Sequence, residues 1–216
     1  MAKASEKYKP FRAWNADDVE ETFALRQVPT LKPLQELLLH TDTSLSESEK
    51  ERLRTLSQRL AANVENWNEE ELKLKFIAHL LELVDYDTEG CKIFADRTIS
   101  AEVKGKILSD TVDVLIARGN RIPKAPLLCI HEYKKERGSS NDPLGQVLAT
   151  MIAAQAFNAS TKPVYGAYTV GRLWFLLALQ GSEYAVSKEF NAADEENAFA
   201  LFQTLKHFKN MIPSLL

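Results

Sequence analysis

The sequence predicts an α/β (α+β) protein with a central mixed β-sheet flanked by helices and a helical N-terminal segment. Three observations predict it. Through the first 86 residues, apolar side chains recur every three or four positions, the period of a helix with one buried face. After Gly90 the chain becomes rich in β-branched and aromatic residues that alternate with polar ones, the period of a strand. Between two later strand-like runs stands a strongly capped helix opening at Asn141-Asp142-Pro143, so a crossover helix packs on a mixed sheet.

Taken in order, Asn15-Ala-Asp-Asp supplies a cap and early acids for a helix running to about Gln27. Thr30 opens a short helix through Leu34, Leu37 and Leu38 to His40. A polar linker from Asp42 to Glu49 carries serines able to cap the next helix, at about 46–65, whose apolar face is Leu53, Leu56, Leu60 and Val64. Asn68 and Glu71 form a capping box for a further helix, with Leu72, Phe76, Leu80 and Leu83 as its buried stripe, ending near Asp85. Lys92–Val103 and Ile107–Ala117 flank Lys104-Gly105-Lys106 and read as a hairpin. A polar loop, Gly119 to Pro126, leads to the apolar run Leu127-Leu-Cys-Ile-His-Glu-Tyr-Lys. Asp142 caps and Pro143 begins a helix to about Asn158, lined with alanine, so something packs closely against it. Strands at 163–170 and 172–179 surround Gly171; a short strand near Glu183–Phe190 and a helix from Ala193 to about Met211 follow. Residues 1–65 form the helical segment and 66–216 the α/β domain.

Composition narrows the function. The chain has 216 residues, 45% of them hydrophobic, enough for a real core. A net charge of −3 argues against coating nucleic acid by bulk charge but leaves room for a local basic patch. No apolar run approaches the roughly 20 residues needed to span a bilayer, and the polar start lacks the apolar segment of a secretion signal, so a cytoplasmic protein is expected. Two cysteines cannot build a disulfide framework, and no Cys/His cluster has zinc spacing. Eight glycines are spread too thinly for a phosphate-cradling loop.

The informative segment is Ile130-His-Glu-Tyr-Lys134. Strand alternation places Leu128, Ile130, Glu132 and Lys134 on one face, so an apolar strand delivers a carboxylate and an amine side by side at its end. Such charges are rarely buried without partners. Asp113 sits on the preceding strand among Val112, Val114 and Ile116. Two carboxylates on neighbouring strands suit a hard divalent cation, and a lysine beside it can orient water and offset charge on phosphate oxygens. Glu-x-Lys occurs three times, at Glu71–Lys73, Glu102–Lys104 and Glu132–Lys134. The first lies at a helix start, where Glu71 closes a capping box, and the second at a hairpin tip. Only the third combines an apolar strand, an acid 19 residues earlier and a capped helix after it. His131 points to the opposite face and reads as a packing residue, Cys129 as a small buried apolar one. Tyr165, Tyr168, Trp174 and Phe175 read as strand core.

On these residues the chain resembles the PD-(D/E)XK nuclease superfamily, and over about 66–180 it is similar to the nuclease domain of type I restriction-enzyme motor subunits. Asp113 matches the acid of the first motif and Glu132-Tyr133-Lys134 the (D/E)XK motif, though Val112 stands where the family name has proline. The helix opening at Asn68 resembles the family's leading helix, with Glu69 (preferred) or Glu70 as a further acid, and Gln146 looks like the glutamine some branches place beside the site. The resemblance implies a restriction-endonuclease-like sheet and Mg²⁺- or Mn²⁺-assisted phosphodiester hydrolysis in DNA, less often RNA, leaving 5′ phosphates. Asp113, Glu132 and the Tyr133 carbonyl would hold the metal and Lys134 would position the attacking water. Lys135, Arg137, Arg118, Arg121 and Lys124 would neutralise the substrate backbone. A second copy of the chain, or other subunits of a nuclease system, would be partners. The alternative is a catalytically silent module of the same fold that binds nucleic acid or a protein.

Overall fold

A computed structural model describes residues 7–39, 43–138 and 141–216. The chain enters through a two-residue strand, β1 (Tyr8–Lys9), and a 3₁₀ turn at Phe11–Ala13 into α1 (Ala16–Phe23). Asn15 caps α1 by accepting from the Asp18 N–H at 2.7 Å. The helix stops short of the expected Gln27, because Ala24 turns left-handed (φ 53°) and Arg26–Gln27 form β2. Residues 8–9 and 26–27 are therefore strands within a segment expected to be wholly helical. They are too short to display alternation, and they form because sheet edges present unpaired N–H and C=O groups that an extended neighbour satisfies.

Next come α2 (Lys32–Leu38) and α3 (Glu47–Asn63). Leu31, not Thr30, stands at the start of α2, where Pro33 presets the first turn. The expected helix end at His40 and the linker start at Asp42 lie outside the described residues. Ser46 caps α3 through a reciprocal box with Glu49. The same chemistry opens α4 (Glu69–Leu72): the Glu71 N–H donates to Asn68 Oδ1 at 2.8 Å, and the Asn68 N–H to Glu71 Oε2 at 3.1 Å. A π turn over Lys73–Ile77 joins α4 to α5 (Ala78–Val84), and Asp85 (φ 57°) ends the run.

The hairpin follows as β3 (Lys92–Val103) and β4 (Lys106–Arg118), then β5 (Lys124–Lys134), α6 (Pro143–Asn158), β6 (Val164–Val170), β7 (Leu173–Gln180), β8 (Glu183–Val186), β9 (Phe190–Asn191) and α7 (Glu195–Leu215). Among the described residues, one mixed sheet of nine strands runs β1-β4-β5-β6-β7-β8-β2, with β3 also on β4 and β9 on β7. β5 and β6 are parallel, joined by α6; the hairpin, β4–β5, β6–β7 and β7–β8 are antiparallel. Three boundaries differ from expectation. β5 starts at Lys124 because Lys124 pairs with Arg118. The expected strand 183–190 splits in two, the chain stepping aside at Ser187, whose N–H still donates to Leu176 O at 2.8 Å. The last helix runs through Pro213 to Leu215, since a proline so near the end deprives one carbonyl only and Ile212 and Leu215 are buried.

The sheet carries a core on each face. On one side α2, α3, α5 and α7 bury Leu53, Leu60, Leu80, Phe202 and Phe208 against Cys129, Tyr133 and Trp174. On the other, α1 and α6 cover Leu115, Leu127, Ile130 and Val164. Leu128 belongs to the first core and not, as alternation predicted, to the face of Ile130. The register between β4 and β5 slips at Ile116/Ala117, so Leu128 is the extra residue of a bulge and turns over. α6 is buried continuously from Gly145 to Ala154 because it lies between the sheet and the α1 segment. Asp142 serves both helices, accepting from Leu144 N–H at 2.9 Å and from Ala16 N–H at 2.7 Å. A Cβ at Gly145 would collide with the Asn15 backbone. Gly145→Ala is therefore expected to destabilise the protein by about 1–3 kcal/mol, read as a lower urea midpoint at unchanged slope.

Candidate functional site

The site lies where β4 and β5 part. Their register ends at Val114–His131, and farther along, Ile107–Leu108 of β4 pair with β1 instead. At the fork the Tyr133 N–H donates to Asp113 Oδ2 at 2.8 Å, so a side chain takes the place of a ladder acceptor. The far end of β5 is held by β6: the Gly171 N–H donates to Lys134 O at 2.8 Å, and Arg172 donates to both oxygens of Glu136 at 2.9 Å each. Gly171 (φ 56°) leaves no room for a Cβ, which would run into the Glu136 side chain.

Glu132 faces α6 and is 1% exposed. Its Oε2 accepts from the Gln146 side-chain amide at 2.7 Å, while its buried Oε1 receives no hydrogen bond from a protein N–H or hydroxyl, and the Asp113 carboxyl stands within hydrogen-bond reach of the Glu132 carboxyl. Burial, reinforced by the charge of Asp113, pushes its carboxyl well above the usual range, against the pull of Lys134. Lys134, 8% exposed, lies 3.7 Å from Glu69 Oε2. The site residues expected from sequence, Asp113, Glu132, Lys134, Gln146 and Glu69, thus come together, each contacting another or a neighbour they share. Glu69 is the acid that reaches Lys134, whereas the Glu70 side chain is 81% exposed. Tyr133 turns its side chain to the opposite face, where its hydroxyl meets His131 Nδ1 at 2.8 Å. There burial lowers the His131 imidazole to about 4, leaving it neutral near pH 7. Burial likewise pushes the Cys129 thiol up, so it is inert packing. Tyr165 and Trp174 are core; Tyr168 and Phe175 are only half-buried, stacking at 4.7 Å, with Tyr168 beside Glu132 in the sheet register.

Sequence reasoning missed Lys73. Its Nζ lies 2.7 Å from Asp113 Oδ1, 3.1 Å from Glu70 Oε1 and 3.4 Å from Glu69 Oε1. Burial works against its charge, but the hydrogen bond and charge of Asp113, with Glu70 and Glu69, more than offset this and hold the ammonium well above its ordinary value. Its spacing from Glu69 and Glu70 was visible as helix pairs; its reach to Asp113 was not.

The basic residues divide. Lys135 and Arg137 follow Lys134 by one and three residues, Arg137 pairing with Glu65 at 2.9 Å. Arg118, Arg121 and Lys124 do not belong to this site. Arg118 is five residues along β4 from Asp113, roughly 17 Å at ~3.4 Å per residue. With Glu89 and Asn120 these three line an open cleft of about 720 Å³ at the other end of the strands. Direction along a strand separates these residues from the site although they lie close to it in sequence.

Asp113 and Glu132 are oxygen donors on adjacent strands, and the buried Glu132 Oε1 without a donor is an oxygen a hard divalent cation would satisfy. The residues fit such an ion, although among the described residues no three His, Cys, Asp or Glu side chains stand ready around one point. Among the described residues no helix is long and apolar enough to cross a membrane. No family model matches the chain, and no curated protein matches it.

Proposed function

We propose that the protein is a metal-dependent nuclease of PD-(D/E)XK type with a restriction-endonuclease-like sheet, hydrolysing phosphodiester bonds in DNA, with RNA as a lesser substrate. The observation that supports this most is the buried Glu132 oxygen that meets no N–H or hydroxyl donor, set beside Asp113 and Lys134 where two strands separate. Asp113 and Glu132, with the Tyr133 carbonyl, would hold Mg²⁺ or Mn²⁺. Such an ion supplies Lewis acidity to a phosphate oxygen and makes bound water more acidic. The chain's own residues do the rest. Gln146 fixes the Glu132 rotamer by its 2.7 Å hydrogen bond. Lys134, pinned at the backbone by Gly171, orients the attacking water and offsets charge on the phosphoryl oxygens. Lys135 and Arg137 neutralise neighbouring phosphates, and the product carries a 5′ phosphate.

A second reading, a catalytically silent module that binds nucleic acid or protein, is favoured by one observation: the Lys73 ammonium already pairs with Asp113. The test is cleavage of supercoiled, linear and single-stranded DNA and of RNA in Mg²⁺, Mn²⁺ and EDTA. Ion-dependent cleavage by the wild type, lost in Asp113→Asn, is the expected result. Asparagine still accepts the Tyr133 N–H but loses the charge. Equal background from both proteins on every substrate removes the nuclease reading and leaves the silent one.

A further inference from the structure

Lys73 stands on the same oxygen that a metal would need. Both Asp113 oxygens are engaged, Oδ2 by the Tyr133 N–H at 2.8 Å and Oδ1 by the Lys73 ammonium at 2.7 Å. A Mg²⁺ or Mn²⁺ ion on Oδ1 would bring its charge against the ammonium already in contact with that oxygen, so the two cations repel each other and compete for Asp113. Glu132 differs: its Oε2 takes Gln146, and its buried Oε1 meets no N–H or hydroxyl donor, only the neighbouring Asp113 carboxyl. Half of the prospective ligand set thus meets no cation on this oxygen while the other half is held by a cation from the chain itself.

The geometry also provides an exit. Lys73 begins the π turn and projects from the helix that carries Glu69 and Glu70, its side chain 23% exposed. It already touches Glu70 Oε1 at 3.1 Å, and Glu70 is largely in water, so a change of rotamer can move the ammonium outward without leaving it unpaired. Glu69, bridging Lys73 at 3.4 Å and Lys134 at 3.7 Å, stays in place through its contact with Lys134.

Resting on the nuclease reading, we propose that Lys73 is a positioning residue that competes with the divalent ion for Asp113, holding the acidic centre together when no ion is bound and swinging to Glu70 when one enters. Metal binding then includes the free energy of breaking the Lys73–Asp113 pair, which lowers apparent affinity and couples ion entry to movement at the start of the π turn.

The experiment is calorimetric titration of Mn²⁺ into wild type, Lys73→Met and Lys73→Arg at one pH and ionic strength, with circular dichroism to check folding. Lys73→Met keeps the length of the side chain and removes the competitor, and its Mn²⁺ affinity is expected to rise about tenfold or more. Lys73→Arg keeps the charge and is expected to stay within a few-fold of wild type. Adding Asp113→Asn to Lys73→Met is expected to abolish the gain. If Lys73→Met folds poorly, Lys73→Gln serves the same purpose. Binding by wild type with an unchanged or weaker constant in the uncharged variants overturns the role of Lys73 and leaves the metal site standing. Absence of Mn²⁺ binding in all variants overturns both together. Binding gained only on removing Lys73 supports both.

Discussion

On the proposed nuclease function, Lys134→Ala is expected to lower the rate of ion-dependent DNA cleavage by about 10²–10³-fold while Mn²⁺ binding and the folded spectrum persist. Lys134 is the cation at the end of a core strand whose backbone is fixed by Gly171 and flanked by the Glu136–Arg172 pair, so its ammonium is positioned before substrate arrives. A preorganised charge acts without the reorganisation that water would need, which is why one such group is worth several kcal/mol at the transition state. The loss should fall on kcat rather than on affinity, because Lys135 and Arg137 remain to hold the backbone. Lys134→Met, which preserves volume at this 8%-exposed position, separates lost charge from lost packing. Full cleavage by both variants would show that Lys134 serves only as the ion-pair partner of Glu69.

Glu132→Gln should make the metal-free protein more stable and the protein unable to gain stability from Mn²⁺. The Glu132 carboxyl is buried and raised well above 4.5, burial being the main cause and Asp113 the next. Below the unfolded value both states hold the proton and the group adds no penalty. As pH rises above it the unfolded chain ionises while the folded one does not, so stability falls by up to about 1.4 kcal/mol per pH unit until the folded group titrates too. Glutamine removes that slope, can still accept from Gln146, and can donate to Asp113. At pH 8 in EDTA the variant is expected to melt at a higher temperature than the wild type, with the gain shrinking toward pH 4.5. Mn²⁺ should raise the wild-type Tm and leave the variant unmoved. A variant less stable at pH 8 than at pH 5, relative to wild type, would show that Glu132 is stabilised as a carboxylate by partners other than an ion.

Much of this architecture is written locally. Asn15, Ser46, Asn68, Asp142 and Asp194 each accept a backbone N–H at the start of a helix, an interaction spanning two or three residues and hence visible in the chain itself. The hairpin turn at Lys104–Gly105 and the turn at Gly171 are equally local, since positive φ is a demand on single residues. Asp113, Glu132 and Lys134 stood out because charge on an apolar strand contradicts its own surroundings. What lay beyond reach was set by partners far along the chain. β1 and β2 exist because β4 and β8 offer open edges; Leu128 changes sides because of a slip against β4; Arg118 is carried away from Asp113 by the length of its strand.

The amino-acid order by itself therefore determined the succession of elements, the capped helix between parallel strands and the three groups that break the polarity rule. Only the tertiary structure decided that a helix some forty residues upstream would place Lys73 against Asp113 and leave one oxygen of Glu132 without an N–H or hydroxyl donor. The physical reason is range: caps, turns and alternation act between near neighbours, whereas the electrostatics of a buried cluster depends on which distant side chains the packing of the whole sheet brings within hydrogen-bond distance.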